Sequence, residues 1–128
     1  MIKKPLPTDA ELAILAVLWR RGPSTVRDVH DALSPVQGTG YTTALKLMQL
    51  MAQKGLVLRD ESQRSHVYRA AIAEASTQRH LLGDLMDKAF EGSAAQLVMR
   101  ALSVKKASVE ELEAIRTLLD ELATQESK

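Results

Sequence analysis

The fold is decided by residues 24–55, which read STVRDVHDAL at 24–33, SPVQGTG at 34–40 and YTTALKLMQLMAQKG at 41–55. Apolar residues recur at helical spacing in the first and third segments, and the middle segment contains a proline and two glycines. We therefore predict a short helix, a connection, and a second helix that opens on three hydroxyl-bearing residues. This arrangement is typical of the helix-turn-helix that presents a recognition helix to DNA.

The first helix of this pair is predicted over residues 26–33, with Ser24 or Thr25 as its N-cap. Pro35 is expected to end it, because proline forces the preceding residue out of the α region. The residues expected to face inward are Val26, Val29, Ala32 and Leu33.

The second helix is predicted to begin at Tyr41 and to stop at Gly55. Its inward face is expected to contain Ala44, Leu47, Met48 and Met51. The polar residues that lie away from that face are Thr42, Thr43, Lys46 and Gln49. Such a face is often only solvated, but the short helix before it and the hairpin after it favour contact with DNA.

Elements on both sides of the pair complete a winged helix. Thr8-Asp-Ala-Glu11 has the form of a capping box, which predicts a helix of about fourteen residues that Gly22-Pro23 terminates. Trp19 is expected to anchor the core of this small domain. Residues 56–68, LVLRDESQRSHVY, predict two strands joined by a polar tip, the wing.

The side chains expected to contact DNA lie on the second helix and the wing. Threonine hydroxyls at a helix N-terminus can bond phosphate oxygens, and their methyl groups can contact thymine. Lysine one turn further on can reach a guanine edge or a phosphate, and wing cations position the protein on the backbone. The candidate residues are Tyr41, Thr42, Thr43, Lys46, Gln49, Arg59, Arg64 and His66. For Tyr41, a half-buried capping role is the open alternative, and Val57, Val67 and Tyr68 are expected to pack.

Composition and charge are compatible with this interpretation. The chain has 128 residues, 45% of them hydrophobic, enough for one domain or for a small domain with an appendage. Residues 1–71 carry ten Lys or Arg against six Asp or Glu, whereas residues 72–128 carry seven against ten. A basic N-terminal half suits contact with phosphate, and an acidic C-terminal half indicates another role.

The C-terminal region is predicted to be helical and to mediate dimerisation. Apolar stripes follow Ser76, Gly92 and a second capping box, Ser108-Val-Glu-Glu111. These stripes contain more apolar residues than a short appendage can bury alone, so we expect a two-fold interface with a second copy of the chain. The alternative is that the stripes pack against the winged helix in a monomer. The expected interface residues are Leu82, Leu85, Leu97, Ala101, Leu112, Ile115, Leu118 and Leu122. We therefore expect a mainly α chain with a winged-helix DNA-binding domain over residues 1–72 and a helical dimerisation domain over residues 73–128.

Several classes of chemistry find no support in the sequence. The chain has no cysteine, which excludes disulfides and thiolate chemistry. His30, His66 and His80 have no metal-ligand spacing, and there is no Gly-rich phosphate loop, so we expect no catalytic residue, no metal and no cofactor. No apolar run approaches the roughly 18 residues of a membrane span, and the N-terminus lacks the apolar stretch of a signal peptide. We therefore expect a soluble, cytoplasmic protein with no membrane partner.

One alternative function stays open, a winged helix used for protein contact, as in an antitoxin or an assembly factor, without specific DNA binding. Added salt separates the two functions, because affinity for phosphate falls steeply with salt and apolar contacts change little.

These residues resemble the penicillinase-repressor (BlaI/MecI/CopY) family of bacterial winged-helix repressors. The matching segments are Leu6-Pro-Thr-Asp-Ala-Glu11, Val17-Leu-Trp19, Thr25-Val-Arg-Asp-Val-His-Asp-Ala-Leu33, Tyr41-Thr-Thr43, Lys54-Gly-Leu-Val57 and Arg64-Ser-His-Val-Tyr68. The resemblance implies a homodimeric repressor on a two-fold operator, often built on inverted TACA and TGTA elements in this family. It also implies DNA contacts by Thr42, Thr43 and Lys46, with the wing around Arg64.

The chain departs from the family pattern in two places. Leu50-Met51 stands where the family usually has Arg-Leu, which removes one phosphate contact and exposes an apolar side chain. Relatives that sense β-lactams are cut by a membrane sensor protease at an Asn-Phe bond, where this chain has Arg100-Ala101. A regulatory protease or sensor protein is therefore an open partner, and we expect that the cut used by those relatives does not release this protein.

Overall fold

The computed structural model describes residues 6–126. In chain order the elements are α1 (Asp9–Arg21), β1 (Ser24–Thr25), α2 (Val26–Gln37), α3 (Tyr41–Lys54), β2 (Val57–Asp60), β3 (Val67–Ala70), α4 (Glu74–Ala89), α5 (Ala94–Val104) and α6 (Val109–Glu126). The chain forms two compact units, of which one ends at Leu82 and the other begins at Gly83. The predicted fold class, a mainly α chain with a winged helix followed by a helical region, is confirmed. No described helix is both long and apolar enough to cross a membrane.

Helix α1 begins at the predicted capping box. The Thr8 hydroxyl accepts from the Glu11 backbone N–H at 3.2 Å, and the Glu11 carboxylate accepts from the Thr8 backbone N–H at 2.9 Å. These two bonds satisfy donors that a helix start leaves open. At the other end, the Trp19 indole N–H donates to the carbonyl of Ile72 at 3.0 Å, so the tryptophan ties α1 to the segment after β3 as well as packing against the core.

Helix α2 is longer than the sequence indicated. It continues through Pro35 to Gln37 and ends at Gly38, which has the left-handed conformation and donates its backbone N–H to the Ser34 carbonyl. The prediction that Pro35 ends the helix is wrong. Within the last turn, proline removes only one backbone hydrogen bond, and the left-handed glycine then supplies the termination.

The wing contains one strand that the sequence did not indicate. The hairpin of β2 and β3 is confirmed, with Arg59 opposite Tyr68 in antiparallel register. In addition β1 pairs antiparallel with β3, Ser24 opposite Tyr68, which gives a three-stranded sheet in the order β1-β3-β2. Strand β1 has only two residues, too few for any alternation to be visible. Thr25, the second of them, also caps α2.

The core of the winged helix lies under α1, α2, α3 and the sheet. The predicted inward face of α3 is confirmed: Ala44, Met48 and Met51 are fully buried, and Leu47 packs against them half-buried. The other buried apolar residues are Ile14, Leu15, Val17, Leu18, Val26, Val29, Leu33, Leu56, Val57 and Tyr68.

The second unit consists of helices, and most of the large apolar residues of α5 and α6 are exposed. Helix α4, which contains the boundary between the units, starts at Glu74 rather than at Ser76. Helix α5 is capped by Ser93, and the predicted capping box of α6 is confirmed, with Ser108 and Glu111 bonded reciprocally at 2.9 and 3.0 Å. No residue of α5 or α6 is buried. Most of the predicted interface residues, among them Leu82, Leu85, Leu112, Leu118 and Leu122, are exposed by 43–53%.

An ion pair between a buried carboxylate and a half-buried ammonium joins the start of α1 to the end of α3. The Glu11 side chain is only 1% exposed, and its Oε2 accepts from the Lys54 ammonium at 2.7 Å. Burial raises the pKa of the Glu11 carboxyl, but the hydrogen bonds from Lys54 and from the Thr8 backbone N–H outweigh it and hold the pKa below its usual value. Since Lys54 is the last residue of α3, this pair fixes the C-terminal end of that helix against α1.

Replacing the buried carboxylate tests this pair. Glu11→Gln is expected to lower the free energy of unfolding by about 1–3 kcal/mol at neutral pH, because a charged hydrogen bond is lost. Since the folded-state pKa of Glu11 is lowered, the ionised form contributes stability that is fully present above the usual value of 4.5 and is lost as pH falls through the folded-state pKa. The difference between wild type and variant should therefore shrink below pH 4.5 in urea denaturation.

The matched control is Asp28→Asn. Asp28 fills the same capping-box position of α2, bonded to Thr25, but it is itself exposed and its cation partner, Arg21 at 3.9 Å, is exposed too, so its substitution should cost less than that of Glu11. Two results would contradict a stabilising role for the Glu11 carboxylate. One is a Glu11→Gln variant as stable as wild type at neutral pH, and the other is a loss of stability that is equal at neutral pH and below pH 4.5.

Candidate nucleic-acid interface

Helix α3 divides sharply into a buried face and an exposed face. Ala44, Met48 and Met51 lie in the core, whereas Thr42, Thr43, Lys46 and Gln49 are all exposed. A helix whose inner face is fully packed cannot rotate, so these four side chains are presented on one fixed surface. The structure thus brings together the four polar residues that the sequence places on this face.

The N-terminus of α3 differs from those of α1 and α2. Its N-cap is Gly40, which makes no side-chain hydrogen bond, and its first turn contains no acidic residue. In α1 and α2 the corresponding position is closed by a reciprocal capping box with an internal carboxylate. The positive end of the α3 dipole is therefore open to an external anion, such as a phosphate.

Tyr41, the first residue of α3, lies between two side chains of α2. The guanidinium carbon of Arg27 lies 4.6 Å from the centroid of the Tyr41 ring, and the His30 ring meets it edge-on with centroids 6.0 Å apart. Tyr41 is 38% exposed, so its ring is partly packed and partly accessible, and the N-cap of α3 is Gly40 rather than Tyr41.

Arg27 was missed by sequence reasoning. It lies beside the expected recognition face although it belongs to α2. One signal in the sequence could have indicated it, because Arg27 falls outside the inward stripe of its helix. Because the first helix of a helix-turn-helix crosses the DNA backbone, that outward cation belongs among the candidates.

Of the three candidate residues in the wing, Arg59 and His66 lie near a carboxylate and Arg64 has no ion pair within the described residues. Arg59 lies in β2, and its guanidinium is 3.1 Å from the Glu61 carboxylate, which also lies 4.0 Å from His66 Nε2. Arg64 is exposed at the tip and has no ion pair within the described residues. Arg59 and His66 thus converge on one carboxylate, and Arg64 is the wing cation available to a phosphate.

Two further features shape the electrostatics and the surface of the interface. The Asp60 carboxylate accepts from the Ser62 backbone N–H at 2.9 Å, which lowers the pKa of Asp60 and holds its negative charge within the wing turn.

Leu50 is 45% exposed on α3, so the apolar side chain expected at the surface is present there.

A helix-turn-helix with a polar outer face on its second helix, followed by an antiparallel hairpin, defines a winged-helix protein of the class that binds DNA.

Comparisons with known proteins agree with this class. The family model for penicillinase repressors matches residues 7–121. The transcriptional regulator BlaI of Mycobacterium tuberculosis is 33% identical over 115 residues, which cover 89% of this chain and 83% of the relative. The solution structure of the Bacillus licheniformis BlaI monomeric form in complex with the blaP half-operator is 27% identical with a TM-score of 0.51, over 59% of this chain and 92% of that one. A MarR family protein from Bacillus stearothermophilus, 20% identical with a TM-score of 0.50, covers 95% of this chain and 76% of that chain and shares the fold alone.

The chain therefore belongs to the penicillinase repressor family. This confirms the resemblance found in the sequence. The members of this family are transcriptional regulators rather than enzymes, which agrees with the expectation that the chain has no catalytic site.

Proposed function

We propose that the protein is a homodimeric transcriptional repressor that binds a two-fold DNA operator through α3 and the wing. The observation that carries the proposal is the division of α3, whose packed stripe fixes an exposed surface of two threonines, a lysine and a glutamine. These residue types bond phosphates and base edges in the major groove. Family membership supports the same function, and a relative in complex with a half-operator supports an operator built of two halves.

Homodimerisation is supported by the apolar surface of the second unit. In α6, Leu112, Leu118 and Leu122 are exposed by 43%, 53% and 47%, and Ile115 between them is half-buried. These residues recur at helical spacing on one face, and a contiguous apolar face of this kind marks an interaction surface. A second copy of the chain supplies an equal face, and a two-fold dimer places two winged helices on one DNA molecule.

The bond that corresponds to the protease site of the β-lactam-sensing relatives lies within a helix of this chain. Arg100 and Ala101 lie within α5, so a protease that cuts between them would have to unwind a helix as well as accept a sequence without the family's Asn-Phe bond. We therefore propose that a regulatory protease or sensor protein, where one acts on this chain, uses a different bond.

Selection from random double-stranded DNA tests the proposed function. The full-length protein should enrich an inverted repeat whose half-sites lie about one helical turn apart, and its affinity for that site should fall steeply with salt. Enrichment of no symmetric motif would contradict it. Binding that salt does not affect would favour a protein-contact module instead.

Two substitutions separate base reading from backbone contact on the selected site. Lys46→Ala should cost about 1–3 kcal/mol of binding free energy and relax base preference at one position, because Lys46 lies on the fixed face of α3. Arg64→Ala should weaken binding to all sequences alike and lower the salt slope by about one unit. Lys88→Ala, which removes the same charge from α4, is the control and should leave both quantities unchanged. Indistinguishable behaviour of the Lys46 and Arg64 variants would refute the assignment.

The dimer prediction is tested on α6. Leu118→Asp places a carboxylate in the proposed apolar interface, which costs several kcal/mol unless the interface opens, so the variant should become monomeric at micromolar concentration with the winged helix folded. Affinity for the two-half site should then fall by on the order of a hundredfold, since the effective-concentration gain is lost. Thr117→Asp is the matched control, because it adds the same charge at the adjacent, exposed position on the opposite face of α6. Sedimentation that finds a dimeric Leu118→Asp protein would exclude this interface.

A further inference from the structure

Arg27 is held at the start of α3 without a carboxylate partner. Its guanidinium lies over the face of the Tyr41 ring, 4.6 Å from the centroid, and its side chain is exposed. Within residues 6–126 it forms no ion pair, although two aspartates share its helix. An exposed cation placed by an aromatic ring, rather than by an anion, keeps its full charge for an external ligand.

The two aspartates of α2 are engaged elsewhere. Asp28 accepts from the Thr25 backbone N–H at 3.1 Å and lies 3.9 Å from Arg21, which lowers the pKa of Asp28 and fixes its charge at the helix start. The Asp31 carboxylate lies 3.1 Å from Nδ1 of His30. Neither neutralises Arg27, so the positive charge beside Tyr41 is uncompensated.

The Tyr41 ring is itself fixed by α2. His30 is one turn after Arg27 on that helix, its side chain is only 19% exposed, and its ring meets Tyr41 edge-on at 70°. Both α2 residues thus contact the Tyr41 ring, Arg27 over its face and His30 in a T-shaped arrangement. Since Tyr41 is the first residue of α3, the position of Arg27 is tied to the end of the proposed recognition helix.

We propose that Arg27, stacked on Tyr41, binds a backbone phosphate of the DNA that α3 enters. This rests on the proposed function and adds a contact from α2 to those of α3 and the wing. A guanidinium that stacks through its face keeps the N–H donors at its edge, which is the geometry for bidentate bonds to phosphate. The uncapped N-terminus of α3, with no acidic residue in its first turn, leaves room for the same anion.

The stacked arrangement also lowers the cost of binding. A free arginine side chain loses rotamer freedom when it contacts a phosphate, whereas one already placed over a ring loses less. The contribution of Arg27 should therefore depend on the ring of Tyr41, and this dependence separates the proposal from a general effect of positive charge.

The competing role for the pair is structural. If Arg27 only packs α2 against α3, its removal lowers the thermal stability of the protein and leaves the number of phosphate contacts unchanged. The salt slope of DNA binding distinguishes the two roles, because it counts neutralised phosphates and is insensitive to a modest loss of stability.

The experiment measures the affinity of full-length protein for the DNA duplex selected by the wild type, over a range of salt concentrations. Arg27→Ala is expected to weaken binding roughly tenfold and to reduce the salt slope by about 0.9. Arg20→Ala removes an exposed arginine from α1 that likewise has no ion pair within the described residues, and it should leave the slope unchanged. Circular dichroism should find each variant folded.

A double-mutant cycle with Tyr41→Leu completes the test. After the ring is removed, Arg27→Ala should have a markedly smaller effect than in the wild type, because the two residues act as one unit. An unchanged salt slope in Arg27→Ala, a loss equal to that of Arg20→Ala, or strict additivity with Tyr41→Leu would overturn the proposal while leaving operator binding by α3 intact. A wild-type protein that binds no duplex would overturn both this proposal and the proposed function.

Discussion

The packing of one stripe of α3 against the core determines how the rest of the winged helix can act. Ala44, Met48 and Met51 are fully buried, and any rotation of α3 would bring polar side chains into the core and expose these three. The free-energy cost of burying an unpaired polar group exceeds the gain from a single surface contact, so the helix has one stable orientation. The outer face with Thr43 and Lys46 is a consequence of this packing. The Glu11–Lys54 pair acts at the end of the same helix, where the apolar stripe stops, and resists tilting of α3 away from α1.

The starts of these helices differ in whether side chains cap them. Helices α1, α2 and α6 begin with capping boxes, in which a serine or threonine and a carboxylate satisfy the open backbone donors internally. The N-cap of helix α3 is Gly40, which supplies no side-chain partner for these donors. That absence costs stability, which a bound phosphate would restore. The Arg27 guanidinium lies over the ring of Tyr41 at the same helix end, so an uncapped helix start and a cation without an ion pair in the described residues lie close together.

Much of this fold could be predicted from the sequence because its signals are local. A capping box spans four residues, and the apolar spacing of α3 is visible within one helix. The errors at Pro35 and at β1 arose because each of those features depends on residues outside the segment from which it was predicted. Pro35 is tolerated because it lies in the last turn before a left-handed glycine, and β1 exists only because β3 lies beside it. Arg27 escaped prediction for the same reason, since its significance depends on the contact between α2 and α3, which no spacing within either helix encodes.

The central claim, that the outer face of α3 occupies the major groove at two symmetric half-sites, is tested most directly by methylation interference on the selected duplex. Dimethyl sulfate methylates guanine N7 in the major groove and adenine N3 in the minor groove, so the two grooves can be distinguished in one experiment. The account predicts two clusters of interfering guanines, related by the two-fold axis and about one helical turn apart. Binding that is unaffected by methylation at guanine N7, or interference confined to minor-groove adenines, would contradict it.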